Sequence, residues 1–506
     1  WMYLMRRDFT QATPYLERLQ ALFSAPQRDE LDAAPEGEWL ALRSLLLSTQ
    51  GKVAEATKLA ERALKILPAD ETQVRSVTYM GLANMYEQML DYERAADAMN
   101  AIIQQARAVG DLASEVLGIS LLGRMVLQQG GLHSVYEMTS QVLQRIERLG
   151  SFSPFSATLY GELAQVYYHW HQLDEARRHF SRSVELSTLG GFSDAEIYHS
   201  VFLSRLLQMD GDLEAAAQEI DKALHRMQTA APAFVREEVV AQQVSLSLAR
   251  GHPAVAQTAL KEYGFGFDGG FSYPALAPEA GIPHPVGLLY NSALRILLHK
   301  ARLGSAQQDL KRGIELAEPL IAGTLRCRHL PIMLQTLLLR GQLQMTLGNE
   351  QAGLADVLKT LELAKPEKFV SIFVEEGKPI AEALTILLKR NLPEAVASEY
   401  VEEILAAFPK IQASQVTHGK PSVTLARGAG AVDESLVLIE TLTARELEVL
   451  RHIAAGDSNQ RIADKLFITL SAVKKHTGNI FKKLNVNSRT QAVVRARQLG
   501  LLALDG

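Results

Sequence analysis

The chain has 506 residues, 22% of them charged and 47% hydrophobic, with a formal net charge of -5. That length calls for two or more domains. The composition is ordinary for a water-soluble globular protein, and no apolar run approaches the roughly 18 residues of a membrane span. A single cysteine, Cys327, excludes an internal disulfide framework and a cysteine-built zinc site, so a reducing cytoplasm is the expected home.

The opening Trp1-Met2-Tyr3-Leu4-Met5-Arg6-Arg7 lacks the long apolar stretch and small-residue cleavage site of a signal peptide. A start at Trp in place of Met points to a fragment of something longer. The first organised feature is a repeat. Short turn signals recur, each followed by an amphipathic segment. Their first apolar residues are Val53, Tyr92, Leu132, Leu173, Leu213 and Pro253, spaced by 39, 40, 41, 40 and 40 residues. Three positions on stand Ala56, Ala95, Val135, Ala176, Ala216 and Ala256. Eleven positions after the first five anchors stand Leu64, Ile103, Leu143, Val184 and Leu224. Offsets of 3 and 11 share one face of a helix, which should pack inward. An earlier helix precedes each anchor, visible in Leu82-Ala83-Asn84-Met85-Tyr86 and Leu163-Ala164-Gln165-Val166-Tyr167. Ala176 followed four residues later by Phe180 resembles the second helix of a tetratricopeptide repeat, lengthened here to about 40 residues. Such helix pairs stack into a superhelix with a concave binding face. Tyr86, Tyr167, Tyr168 and Trp170 read as repeat core in preference to ligand contacts.

The period breaks at Tyr263-Gly264-Phe265-Gly266-Phe267-Asp268-Gly269-Gly270-Phe271-Ser272-Tyr273-Pro274 and stays irregular over about 263–285. That glycine density cannot hold a helix interior. The aromatics of this insertion fit a connector pinned to the solenoid better than the lining of a ligand pocket. Helical patterning resumes at Val286, and the repeat region is expected to occupy 1–408. Residues 409–440 scatter Ser, Thr, Gly and Pro, as in His418-Gly419-Lys420-Pro421 and Arg427-Gly428-Ala429-Gly430, which reads as a flexible linker.

The final stretch, 441–506, carries 11 Lys/Arg against 5 Asp/Glu, whereas the preceding 440 residues carry 41 against 52. A polyanion is therefore expected at one end of the chain only. Four short helices are predicted there. Thr443-Ala444-Arg445-Glu446 is a capping box, followed by the inward stripe Leu447, Leu450 and Ile453 and a stop at Gly456. Ser458 opens a second helix with Ile462, Ala463 and Leu466 inward, and Thr469 caps a third built on Val473, Ile480 and Leu484. Ser488-Arg489-Thr490-Gln491 opens a fourth. The residues Phe467 to Thr469 form a connection of helix-turn-helix length. The third helix would enter the DNA major groove, with Ser471, Lys474, Lys475 and Lys482 outward. Lysines there suit guanine edges and phosphates alike. The competing reading is a four-helix bundle with a solvated basic face.

The stretches Leu442-Thr443-Ala444-Arg445-Glu446-Leu447-Glu448-Val449-Leu450, Ala455-Gly456-Asp457-Ser458-Asn459, Val473-Lys474-Lys475-His476 and Lys483-Leu484-Asn485-Val486-Asn487-Ser488-Arg489-Thr490-Gln491-Ala492 resemble the LuxR-type helix-turn-helix over residues 442–503. The resemblance implies base and phosphate contacts at Lys474 and Lys475, and approach to the DNA backbone at Ser458, Asn459 and Thr469. Ser471, His476, Lys482 and Arg489 complete the expected DNA-binding set. Gly478 departs from the family, which often has a larger residue there.

A long helical repeat ahead of a linker resembles the large ATP-dependent LuxR regulators of the MalT-like kind. So does Phe369-Val370-Ser371-Ile372-Phe373-Val374-Glu375-Glu376-Gly377-Lys378-Pro379-Ile380. That resemblance implies an all-α protein, a tetratricopeptide-like sensor solenoid followed by a small helix-turn-helix four-helix domain. The partners it implies are promoter DNA, RNA polymerase, a small-molecule effector or regulatory protein on the solenoid, and further copies of itself on activation. ATP is implied only for an N-terminal domain. No Gly-x-x-x-x-Gly-Lys-Ser/Thr phosphate loop occurs in these residues, because Gly51-Lys52, Gly377-Lys378 and Gly419-Lys420 are followed by Val, Pro and Pro. No cofactor and no membrane are expected for this chain. His133, His169, His171 and His199 lie in separate repeats without metal-ligand spacing, and no nucleophile motif is present, so the chain reads as non-enzymatic.

Overall fold

The computed structural model describes residues 33–409, apart from 149–155, 191–192, 230–234, 303, 305–306, 391 and 394–395, together with much of 444–496 and a few residues before 33. The chain divides into two compact units, Trp1–Ile411 and Gln412–Gly506. From residue 410 on, the segment read as a linker lies outside the described residues. The described elements are helices, apart from one isolated antiparallel bridge between Gly266 and Ser272. None is long and apolar enough to cross a membrane.

In the first unit the helices come in pairs, termed A and B. They are Ala33–Thr49 with Val53–Ile66, Thr72–Gln88 with Tyr92–Val109, Leu112–Gln129 with Leu132–Arg148, and Ala157–His169 with Leu173–Gly190. Ser193–Met209 with Leu213–Thr229 and Arg236–Ala249 with Pro253–Lys261 follow, then His284–Arg302 with Gln307–Arg326 and Leu330–Thr346 with Glu350–Ala364. Each anchor of the 40-residue period is the first residue of a B helix. The residue three positions on (Ala56, Ala95, Val135, Ala176, Ala216 or Ala256) is 0% exposed in every case. The small side chain lets the paired A helix approach closely.

The rest of the inward stripe refines the sequence expectation. At offset 7 stand Ala60, Met99, Thr139, Phe180, Ile220 and Leu260, and at offset 10 Ala63, Ile102, Val142, Ser183 and Ala223, all buried. At offset 11, Ile103 and Leu143 are buried as expected, whereas Leu64, Val184 and Leu224 are only half-buried. Offsets 3, 7 and 10 span about 60° of a helix, and offset 11 lies about 40° beyond that edge. A B helix wedged between two A helices buries the narrower stripe most completely.

Two residues before each anchor the backbone turns left-handed, at Gly51, Leu90, Gly130, His171, Gly211 and Gly251. Glycine takes that conformation freely, whereas Leu90 and His171 each give up about 1–2 kcal/mol. Both are braced by distant parts of the chain. Leu90 packs against Gly281, where an added Cβ would stand 3.0 Å from its Cδ1. The His171 Nδ1 lies 3.0 Å from Ser371 Oγ.

The B helix Pro253–Lys261 has only 9 residues, and the irregular stretch after it fills the space a longer helix would take. Phe265, Phe267 and Phe271 are buried in a core shared with Leu289, Tyr290 and Leu316. Backbone carbonyls in the stretch find side-chain donors: Lys300 donates to Phe267 O at 3.1 Å, Arg312 to Phe271 O at 2.8 Å and Tyr290 to Pro274 O at 2.7 Å. The next helix starts at His284.

After the last pair the chain returns to a helix some 200 residues earlier. Val370 N donates to His169 O at 2.7 Å, the Trp170 indole to Glu367 O at 2.9 Å, and His133 N to the Glu367 carboxylate at 2.9 Å. Phe369 and Phe373 are fully buried there, in a core that also holds Val166, Leu334 and Val401. The superhelix thus closes on itself and encloses a lumen.

The second unit is built on Ala444–Ala454, Asn459–Leu466 and Leu470–Lys483. Its core is Val449, Leu450, Ile453, Ile462, Ala463, Val473, Ile480, Ala492 and Ala496. Thr443, Leu484 and Ser488, named above as cap or core positions, lie outside the described residues.

Candidate functional site

Two places in the molecule gather functional groups: the helix Leu470–Lys483 and the lumen of the repeat. The helix buries Val473 and Ile480 and exposes Ser471, Lys474, Lys475, Gly478 and Asn479, which fall on one face at 100° per residue. Neither Lys474 nor Lys475 meets a carboxylate among the described residues. Lys482 belongs to the same face by position, but its side chain lies outside the described residues. His476 is half-buried at the flank. Gly478 sits mid-face, with no atom within 4 Å of where a Cβ would be. Asn479 is an exposed polar group that the sequence reading missed, and a helical wheel drawn from Ser471 would have found it.

The remaining expected contacts are engaged inside the unit. The Ser458 hydroxyl accepts from Arg461 N at 3.3 Å and the Thr469 hydroxyl from Ala472 N at 3.2 Å, so both cap helix starts. Arg489 donates to Asn459 Oδ1 at 3.1 Å and to the Asp457 carbonyl. Asn459 and Arg489 therefore hold one another. Asp457 is buried, and its carboxylate accepts from Lys465 at 2.8 Å and lies 2.9 Å from His452 Nδ1. The Lys465 and His452 contacts hold it below the usual carboxylate range. Glu446, read as half of a capping box, also takes Lys483 at 2.9 Å across the unit. Lys465, Lys483 and Arg489 thus act as internal struts, while Lys474 and Lys475 stand open.

The lumen holds the groups that the sequence did not reveal. A cavity of about 300 Å³ is lined by Tyr168, Arg205, Gln208, Gln242, Arg295 and Glu375, with Phe408 and Pro409 also in its wall. Arg205 donates to Glu238 at 3.2 Å, and His284 Nε2 lies 2.9 Å from the other Glu238 oxygen. Arg295 donates to Glu376 at 2.6 Å and Gln342 to its second oxygen at 2.8 Å. The Tyr168 hydroxyl donates to Glu375, so Tyr168, read as repeat core, has a buried ring and a hydroxyl at the cavity. Amides continue the wall, with Gln242 donating to Gln208 at 2.9 Å and Gln208 to Ser245 at 3.3 Å. Burial pushes the Glu238 carboxyl up, but His284 and Arg205 outweigh it and the net shift is down. At Glu376 burial wins over Arg295 and the shift is up. Arg205, Glu238 and Arg295 sit on A helices, whose outer side packs on B helices and whose inner side faces the lumen, whereas Glu375 and Glu376 follow the short helix Ser371–Val374 of the closing segment. For Arg205 and Arg295, a charge set between Leu203 and Leu206 or between Leu294 and Leu297 was the available signal.

The four histidines weighed as metal ligands go to separate places. His199 contacts Ser183 Oγ, His171 contacts Ser371, His169 packs 5.0 Å from the Phe369 ring, and His133 packs 5.1 Å from the Trp170 ring. Burial depresses His169 and His199 to about 3. Among the described residues no three His, Cys, Asp or Glu side chains cluster as metal ligands.

Comparison with known proteins places these two regions. The family of the MalT-like TPR region matches residues 37–390, and that of the bacterial regulatory proteins of the luxR family matches 440–496. The HTH-type transcriptional regulator MalT of Serratia proteamaculans is 23% identical over 511 residues, covering 99% of this chain and 53% of its own length. The protein of that name from Yersinia enterocolitica is 23% identical over 510 residues with the same coverage. This chain spans about half the length of the curated relatives it matches. Among solved structures, NprR in complex with its cognate peptide NprX aligns over 80% of this chain and 96% of its own, with 12% identity and a TM-score of 0.42.

Proposed function

This chain belongs to the MalT-like TPR family, and from that premise we propose that it works as a transcriptional regulator. It binds promoter DNA through the helix Leu470–Lys483 and senses a small-molecule effector in the lumen of its repeat. The observation that supports the reading is the split among the basic residues of the second unit. Lys465 and Lys483 are paired with carboxylates at 2.8 and 2.9 Å, whereas Lys474 and Lys475 stand exposed on one face with Ser471. Two adjacent lysines that meet no carboxylate among the described residues, beside a helix start, suit a polyanion.

In this reading Lys474 and Lys475 contact bases and phosphates, and Ser471, Lys482 and Asn479 flank them. Ser458 and Thr469 act through the helix starts they cap, His476 lies at the flank, and Asn459 and Arg489 orient the preceding helix. Residues 1–408 are the sensor, 409–440 the tether and 441–506 the DNA reader. The whole protein self-associates on activation under an ATP-dependent domain and contacts RNA polymerase. Several DNA units then engage adjacent sites, so avidity strengthens weak single contacts.

Selection from random DNA tests the proposal. The 506-residue chain is expected to enrich a motif, and a Lys474→Ala/Lys475→Ala variant of unchanged melting temperature is expected to lose it. A lysine that reads a base loses about 1–3 kcal/mol at particular base pairs, while one on a phosphate lowers the salt slope by about 1 at every sequence. Equal enrichment by the variant would remove the third helix from DNA recognition.

A further inference from the structure

The lumen cavity says what kind of molecule it takes. Arg205 and Arg295 stand in its wall on the A helices Ser193–Met209 and His284–Arg302. Each gives one terminal nitrogen to one carboxylate, Glu238 and Glu376 respectively. Those carboxylates are shared with His284 and Gln342, so neither can turn to take up more of its guanidinium. The remaining N–H groups of both arginines meet no acceptor among the described residues. Their side chains are 20% and 17% exposed and line the cavity, with the Arg205 guanidinium also lying over the Phe202 ring at 4.8 Å. Both guanidiniums line this cavity together with Tyr168.

Arg205, Arg295 and Lys378 face the cavity together with Glu375, and one Glu375 oxygen already receives the Tyr168 hydroxyl. Glu238, Glu376 and Glu382 balance the three cations from outside the lining, so the pull on an anion comes from the remaining guanidinium N–H groups and not from a net charge. Guanidinium does not titrate in this range and presents parallel donors that match a carboxylate or phosphate group. Met209, Val374 and Phe408 supply an apolar side. A volume of about 300 Å³ is at the small end of ligand sites. Phe408 and Pro409, where the chain leaves the repeat, also belong to the wall, so an occupant touches the segment that leads toward the second unit.

We infer that the lumen cavity binds a small organic anion, its oxyanion group forked by Arg205 and Arg295 and its carbon skeleton against Met209, Val374 and Phe408. This rests on the small-molecule-sensing reading above and adds the chemical class of the effector.

The experiment is calorimetry and thermal denaturation of the 506-residue chain at fixed ionic strength. The probes are inorganic phosphate, glycerol phosphate and succinate, with glycerol as the neutral partner, and DNA affinity is measured in parallel. At least one anion is expected to saturate at one per chain and raise the melting temperature, and glycerol is expected to do neither. Phosphate and carboxylate probes separate the two possible head groups. Arg295→Lys keeps the charge but loses the fork, and is expected to weaken anion binding about tenfold. Should that variant fail to fold, Lys378→Gln at a rim position 67% exposed is expected to weaken it about threefold. Silence from all three anions, a response to glycerol equal to that of its phosphate, or variants that bind as the native chain does would overturn the assignment. An anion that binds with these variant effects yet leaves DNA affinity unchanged upholds the site and removes the sensing reading. A neutral compound that binds and shifts DNA affinity upholds sensing and overturns the anion.

Discussion

The repeat unit and the C-terminal unit use charge in opposite directions. In the repeat, Arg205, Glu238, Arg295 and Glu376 are drawn inward and paired around a lumen. In the C-terminal unit, Lys474 and Lys475 are turned outward from a small apolar core. The difference follows from how many sides of a helix are covered. An A helix is covered by its B partner on one side and the closing superhelix on the other, so its polar groups must find partners inside. Among the described residues of the C-terminal unit, the helix Leu470–Lys483 buries Val473 and Ile480 and leaves Ser471, Lys474, Lys475, Gly478 and Asn479 exposed on its other face. The sensing and DNA-reading roles proposed above would thus fall to groups held in different ways: the first by buried networks, the second by exposed cations that meet no carboxylate among the described residues.

That contrast can be broken first by acid. His169, His199 and His329 are held neutral by burial, with pKa values depressed from 6.5 to about 3. The unfolded chain takes up protons at these sites as pH falls below 6.5 while the folded chain does not, so stability present above 6.5 is lost toward 3. Three such groups together remove about 6 kcal/mol between pH 7 and 5. The depressed Asp457 of the C-terminal unit gives a different window, with stability lost only as pH falls below about 3.8. All three tryptophans, Trp1, Trp39 and Trp170, precede residue 412, so indole fluorescence in urea reports the repeat unit alone. Equal fluorescence midpoints at pH 7 and 5 would refute the buried neutral histidines.

Phe373→Ala opens a cavity where the closing segment packs, and is expected to cost about 3–5 kcal/mol. The fluorescence midpoint should fall while a separate circular-dichroism transition from the C-terminal unit stays in place. A shift of both would mean the two units unfold as one. One substitution with opposite signs then sharpens the comparison. At Gly161 an added Cβ would stand 1.9 Å from His199 Nε2, and at Gly478 it would meet nothing within 4 Å. Gly161→Ala is expected to destabilise the repeat by about 1–3 kcal/mol, and Gly478→Ala to stabilise the C-terminal unit by about 0.5–1 kcal/mol. The smallest effect is that of Lys474→Ala/Lys475→Ala on stability, within about 0.5 kcal/mol. A larger loss in urea denaturation would show that these lysines support the fold.

Much of this molecule is written in short-range pattern. The 40-residue period placed the first residue of six B helices, and the buried small residue three positions on, because helix starts and helix faces depend on neighbours three or four residues away. Ser458 and Thr469 announced their caps in the same local way. At offset 11 the stripe held at Ile103 and Leu143 but not at Leu64, Val184 and Leu224, since the sequence shows that a face is apolar but not how wide a neighbour will cover it. Arg489, in the same basic stretch as the open lysines, turns inward to Asn459 and the Asp457 carbonyl, which no linear spacing distinguishes.

The lumen belongs to tertiary structure alone. Arg205 meets Glu238 across 33 residues, Arg295 meets Glu376 across 81, and Tyr168 meets Glu375 across 207. Those separations come from the rotation that each repeat adds to the last. Periodicity within a helix carries no record of that sum, so the residues that face one another across the cavity become visible only once the superhelix has closed.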